Sequence, residues 1–391
     1  MRRSIIWGLM LVVIFANFAS AEVLKIGLVR RFKDIKTVSI SCTDKFQISD
    51  KSGAVVMRSN PGDKISFQVN ESKILLIDAS GDNISADPPF SITTSNTDAR
   101  LILYRDQNDN GSRYRGKIII SMNKSGMLLI NELDLEDYLL GVLPCEMPEA
   151  YHMEALKAQA VAARSYALAN RNKHLSQGFS LCDSYDCQIY GGADVERPNS
   201  TAAVRSTAGI VAAYNGKTIS AQYTGDCGGI TADGGRPYLQ SVVDQENESV
   251  DNCENSRHTW SVAWNVADFE NKLKTAYLNL SGVKNVKVEK TPSGRPYLVK
   301  IEAESGNIEL TTAKLRTLLG VNTVRSTYFD AKIIDSTIIL SGKGFGHGVG
   351  MCQIGANNLA KRGSSFEQIL QHYYKGVKII ALSDMAGAGN Q

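Results

Sequence analysis

The chain has 391 residues, 43% of them hydrophobic, and 43 basic against 40 acidic side chains give it a formal charge of +3. So near-neutral a balance leaves no electrostatic footprint for nucleic acid, and no nucleic-acid partner is expected. The length is enough for two or three domains, each with its own core.

Residues 1–21 read as a secretory leader. Arg2 and Arg3 open it, Ile5 to Phe18 is the apolar run, and Ala19-Ser20-Ala21 is a small-residue cleavage site. The run is shorter than the roughly 20 apolar residues a membrane span needs. Cleavage after Ala21 is therefore preferred to an uncleaved signal anchor, and the chain is expected to be exported. Residues 22–114 alternate apolar and polar positions, as in Val23-Leu24-Lys25-Ile26, and end runs at turn residues such as Asn60-Pro61-Gly62-Asp63. This is a β-rich unit without clustered acids, histidines or cysteines. Asp106 to Ser112 lacks the closing bidentate glutamate of a calcium loop and reads as a plain turn.

From residue 115 to about 385 the pattern is mixed, so the fold class expected is α+β, with the chemistry in this second region. Leu143-Pro144-Cys145-Glu146-Met147-Pro148 precedes an alanine-rich helix beginning near Glu154, and alanine is the best helix former. Glu146 is thereby placed at the mouth of that helix. Lys157, Arg164 and Arg171, at steps of seven, are expected to form one basic stripe. Asn215-Gly216 between Ile210–Tyr214 and Ile219–Tyr223 signals a hairpin. Further helices are expected at about 266–276 and 315–320, then at 355–362 and 366–374, the last two split by Gly363.

Seven cysteines are many for an exported chain, and the odd number leaves at least one outside any internal pair. Cys182 lies near Cys187, and Cys227 and Cys253 flank a polar loop. Two structural disulfides, 182–187 and 227–253, are the first reading; a metal group of His174, Cys182 and Cys187 is the second.

Five ordered blocks give the chain a resemblance. They are Tyr138 to Pro148 with Glu154 to Tyr166, Cys187 to Gly192, Ala221 to Thr231, Ser293-Gly294-Arg295, and Gly344 to Ala356 with His372 to Gly376. Together they resemble the sporulation stage II protein D family, which includes the amidase enhancers of the cell wall. The resemblance implies a peptidoglycan lytic transglycosylase that cuts MurNAc–GlcNAc bonds in glycan strands already stripped of peptide, leaving 1,6-anhydro-MurNAc ends. The alternative it implies is a wall-binding, non-enzymatic enhancer of an N-acetylmuramoyl-L-alanine amidase. Location would be periplasmic or cell-wall associated. Glu146 is the implied catalytic acid. Arg164, Gln188, Tyr223, His347 and Gln353 are the expected sugar-binding residues, and the glycines around His347 are expected to let a strand approach the backbone. No cofactor is required by this chemistry; a structural zinc at His174, Cys182 and Cys187 is what the resemblance adds, against the disulfide reading.

Overall fold

The computed structural model describes residues 22–71, 73–244 and 258–386. The leader expected at 1–21 and Cys253, with its expected bond to Cys227, lie outside these residues. The architecture is α+β, as the pattern predicts. Helices α1 to α8 span Leu135–Glu146, Met153–Ala169, Pro198–Ser206, Val266–Leu273, Thr312–Leu319, Gln353–Lys361, Phe366–Tyr373 and Leu382–Ala386.

The β-rich unit is built of a seven-stranded and a six-stranded sheet. Alternation along each strand buries one face: Ile118 and Ile120 are fully buried, as are Val38 and Ile40. The seven-stranded sheet includes Val23–Gly27, Lys117–Met122 and Met127–Asp134, so the unit reaches Asp134 and strands on both sides of residue 115 share one sheet. Its edge takes up Leu181–Cys182, parallel to Val23–Gly27. That pairing fastens the loop of the cysteines to the β unit.

Helix α1 starts at an Asp134 cap, whose side chain accepts from the Glu136 N–H. Glu146 is its last residue, and Met147 is already extended. Glu146 therefore closes a helix of its own rather than opening the alanine-rich one, which begins seven residues later at Met153. Helix α2 is buried along almost its whole length, because alanine at 155, 158, 160, 162, 163 and 167 lets α1, α3, α6 and α7 pack closely around it. The Asn215-Gly216 hairpin forms as expected, both residues having positive φ (49° and 71°) and pairing Ala213 with Thr218.

Residues 260–342 have a separate core. Trp260, Phe269, Leu315, Phe329 and Leu340 belong to it, beneath two three-stranded sheets and helices α4 and α5. The chain then returns to the main core at Met351 and α6. Among the described residues no helix is long and apolar enough to cross a membrane.

Candidate active site

Glu146 is half-buried at the end of α1. Its Oε1 accepts a 2.8 Å hydrogen bond from the Ile189 N–H, and the Tyr223 hydroxyl donates to the same carboxylate. Burial raises its pKa to about 6 even though both hydrogen bonds pull it down. The carbonyl end of α1 acts in the same direction as burial, since it disfavours a negative charge there. The result is a carboxyl that keeps its proton in weak acid, where an ordinary glutamate has lost it, and exchanges it near pH 6.

Tyr223 comes from a two-residue strand, Tyr223–Thr224, paired in parallel with Met351–Cys352. This pairing joins the loops of two motifs more than 120 residues apart. Gln188 is buried behind Tyr223. Its Nε2 donates to the Tyr223 hydroxyl at 2.9 Å and its Oε1 accepts from Tyr138 at 3.4 Å. Gln188 thus orients Tyr223 instead of meeting a sugar itself. His347 accepts from the Val349 N–H at Nδ1 (3.1 Å), and the Tyr223 carbonyl is its other backbone partner. Burial depresses its pKa to about 4, so the ring is neutral and its proton sits on Nε2.

Tyr223 and His347 line a groove of about 350 Å³ together with Tyr166, Asn170 and Arg236. A second groove of about 450 Å³ lies on the other side of Tyr185 and is lined by Arg30, Cys145, Asp183 and Ile189. Tyr185, 86% exposed, borders both. Glu146 is hydrogen-bonded to Ile189, which lines one groove, and to Tyr223, which lines the other.

Several expectations need correction. Arg164 is fully buried and does not face the groove. Its guanidinium forms a bidentate pair with Glu136, both contacts at 2.7 Å, and donates to the carbonyls of Ile210 and Val204. The basic stripe does not exist as a surface: Lys157 pairs with Glu154, and Arg171 lies past the end of α2 and pairs with Glu22. Gln353 is also buried and donates to Gln159. The glycines around His347 are packed against their own protein. A Cβ on Gly348 (φ +80°) would overlap the Arg295 guanidinium, and one on Gly350 (φ +73°) the Gln222 carbonyl.

Two residues were missed by sequence reasoning. Arg295 is 2% exposed; it donates to the carbonyls of Cys227 (2.5 Å) and Ile230 (2.6 Å) and to Thr327 (2.7 Å). It is the clamp under the Gly348 loop, and the lone arginine in a Ser-Gly-Arg turn carried no sign of that. Asp183 has its pKa raised to about 6 by burial while it accepts from the Arg30 N–H at 2.7 Å. Its neighbour Cys182 had drawn attention to the segment, but not to a carboxylate.

The expected metal group gathers as a cluster. Ligand atoms of His174, Cys182, Asp186 and Cys187 lie within 4.8 Å of one another. His174 Nε2 is 3.3 Å from Cys187 Sγ and 3.1 Å from Asp186 Oδ2. Cys182 and Cys187 carry thiols and are not bridged. Hydrogen bonds from the Cys187 thiol and from Ser184 hold the Cys182 pKa down at about 5. One nitrogen, two sulfurs and one oxygen at this spacing suit a tetrahedral zinc.

Fold and site together define an α+β protein with a carboxyl whose pKa is raised by burial, hydrogen-bonded to residues that line two grooves. The chain belongs to the stage II sporulation protein D family. The family's model, "Stage II sporulation protein", matches residues 123–214, and a domain of unknown function, DUF8618, matches residues 238–350. The chain is 34% identical over 273 residues to an uncharacterized protein of Brachyspira hyodysenteriae, covering 69% of this chain and 73% of that one. It is 31% identical over 271 residues to the stage II sporulation protein D of Bacillus amyloliquefaciens, covering 64% of this chain and 75% of that one. Similarity to the amidase enhancer of Bacillus subtilis is also 31%, over 296 residues, but spans 40% of that longer protein.

Proposed function

We propose that the protein is an exported peptidoglycan lytic transglycosylase acting on glycan strands at the cell wall. The observation that carries this reading is the Glu146 carboxyl, its pKa raised to about 6 and its position fixed by Ile189 and Tyr223. Glu146 gives its proton to the glycosidic oxygen between MurNAc and GlcNAc as the C1–O bond breaks. The resulting carboxylate then takes the proton of the muramic C6 hydroxyl as that oxygen bonds to C1. One bond breaks and one forms, the proton returns to Glu146, and no water is consumed. A single carboxyl serves as acid and then as base. Arg236 would supply hydrogen bonds to sugar along one groove, beside a neutral His347 ring held by its own backbone partners.

His174, Cys182, Cys187 and Asp186 would hold a zinc ion whose role is structural. It would pin the loop that brings Gln188 and Ile189 to the acid, with no step of the reaction routed through it.

The likeness to an amidase enhancer favours one other reading, in which the grooves bind glycan and the protein stimulates an N-acetylmuramoyl-L-alanine amidase without cutting. Products decide between them. Purified peptide-free glycan strands incubated with the protein are expected to yield 1,6-anhydro-MurNAc ends by mass spectrometry, faster than intact sacculi do. Uncut strands combined with faster release of peptide by added amidase would establish the enhancer instead.

The pH profile gives a second check. Cleavage needs protonated Glu146, so kcat/KM is expected to fall as pH rises through about 6. Tyr223 lowers this pKa by hydrogen bonding to the carboxylate. Tyr223→Phe should therefore move the falling limb to higher pH. A limb that stays in place, or moves down, would show that Tyr223 does not touch the acid in the working enzyme.

A further inference from the structure

A second group of donors lies on the far side of the Tyr223 strand, in the core. Ligand atoms of Asp226, Cys227 and Cys352 fall within 4.8 Å of one another, and all three residues are buried. Asp244 Oδ2 stands 3.3 Å from Cys227 Sγ. A tetrahedral zinc with two sulfur and two oxygen ligands needs donor–donor separations of about 3.3–3.8 Å, given metal–ligand bonds of about 2.0–2.3 Å. Of the six donor–donor edges, the Asp244–Cys227 edge already has that length, and the three among Asp226, Cys227 and Cys352 are at most 4.8 Å.

The surroundings suit thiolates. Cys227 Sγ accepts from the Gly229 N–H at 3.3 Å. Cys352 Sγ accepts from the N–H groups of Cys227 at 3.3 Å and Gly355 at 3.4 Å. Cys352 also caps the nine-residue helix α6, whose N-terminal end favours negative charge. Room has been left for a carboxylate: a Cβ on Gly355 would overlap Asp244 Oδ2. His372 Nε2 is buried without a hydrogen-bond partner among the described residues, 3.6 Å from Asp244 Oδ1. Asp226 and Asp244 are 1% and 0% exposed; Asp226 groups with both sulfurs, and Asp244 meets that of Cys227. A cystine would bring no positive charge to them. A divalent cation would bring positive charge to these buried carboxylates, and the His258 ring lies 3.1 Å from Asp226.

We propose that Cys227, Cys352, Asp226 and Asp244 form a second, structural metal site for a zinc-class divalent cation. It shares no residue with the group at His174. Its place in the fold gives its purpose: Asp226 and Cys227 follow Tyr223 by three and four residues, and Cys352 follows His347 by five. The ion would lock the two loops whose pairing builds one wall of the groove. This holds whichever reaction the groove performs.

The test is metal stoichiometry in the purified protein. Cys182→Ser/Cys187→Ser removes the sulfurs of the other group. After dialysis against zinc this variant is expected to retain one equivalent by elemental analysis and to give a thiolate-to-metal charge-transfer band when loaded with cobalt(II). Adding Cys352→Ser should abolish both. No bound metal in the double variant would overturn the proposal, as would an equivalent that survives Cys352→Ser. A non-reducing peptide map placing Cys227 or Cys352 in a disulfide, with each other or with Cys253, would overturn it too. Should the double variant fail to fold, wild type is compared with Cys352→Ser alone: loss of one equivalent is expected, and equal content refutes the site.

Discussion

Glu146→Gln is expected to lower glycan cleavage by at least about 10²–10⁴-fold, the usual worth of a positioned general acid, while leaving the fold at least as stable at pH 7.5. The two halves of this expectation have one cause. Burial lifts the Glu146 pKa from 4.5 to about 6. The folded state therefore binds more protons than the unfolded chain between those values, and stability falls as pH rises through that window. Above pH 6 the native carboxylate carries a burdensome charge of at most about 2 kcal/mol, taking 1.36 kcal/mol per pKa unit. Glutamine keeps an acceptor for the Ile189 N–H and removes the charge, so its midpoint in denaturant at pH 7.5 should equal or exceed that of wild type. At pH 4 the difference should vanish, because both side chains are then neutral. Cleavage assays and urea titrations at the two pH values measure this. Full activity in the folded variant would remove Glu146 from the chemistry. Loss of activity together with loss of stability would make it a structural residue.

Arg164→Met is expected to do the reverse: to cost about 3–5 kcal/mol of stability, as breaking a buried ion pair does, while sparing the reaction in whatever protein remains folded. Arg164 is 0% exposed and Glu136 34% exposed. Removing the guanidinium leaves the Glu136 carboxylate facing the void and strips the Ile210 and Val204 carbonyls of a donor. Because Arg164 joins α2 to the first turn of α1 and to the end of α3, the loss spreads across the helical core. Glu136→Leu added to Arg164→Met should recover part of the deficit, since no charge then remains unpaired. Urea unfolding of the single and double variants gives the coupling, and kcat/KM below the transition gives the function. A stable Arg164→Met protein with poor substrate binding would return Arg164 to the groove.

How far each element could be read in advance follows from the range of the interactions that make it. The β alternation of residues 22–114, the alanine-rich helix, the Asn-Gly hairpin and the two helices divided by Gly363 rest on local periodicity and backbone preference, and they were legible. The gathering of His174, Cys182 and Cys187 was legible too, because the three lie close together in the sequence. Helix α1 was missed, and Glu146 was placed at the mouth of the next helix instead of at the end of its own. A proline in the last turn, Pro144, still fits a helix whose following residues turn away, and no local signal separates Glu146 from the helix seven residues on.

What only the tertiary structure decided is where charge and amide groups go. Arg164 sits at helical spacing with Lys157, and spacing alone gives a direction on one helix, not what lies there. Glu136, 28 residues earlier, occupies that direction and turns an expected sugar ligand into a buried strut. Gln188 and Gln353 were drawn inward likewise, each by a partner from another segment. Glycines 348 and 350 serve a close approach, as glycine in a left-handed conformation does, but the approaching groups are Arg295 and Gln222. The sequence by itself determined the family and the fold class, and it singled out Glu146 as the carboxyl to test, because these depend on residue type and local order. The raised pKa of that carboxyl, its hold by Ile189 and Tyr223, and the grouping of Asp226 with Cys227 and Cys352 come from long-range packing, which sets burial and distance and which no local pattern encodes.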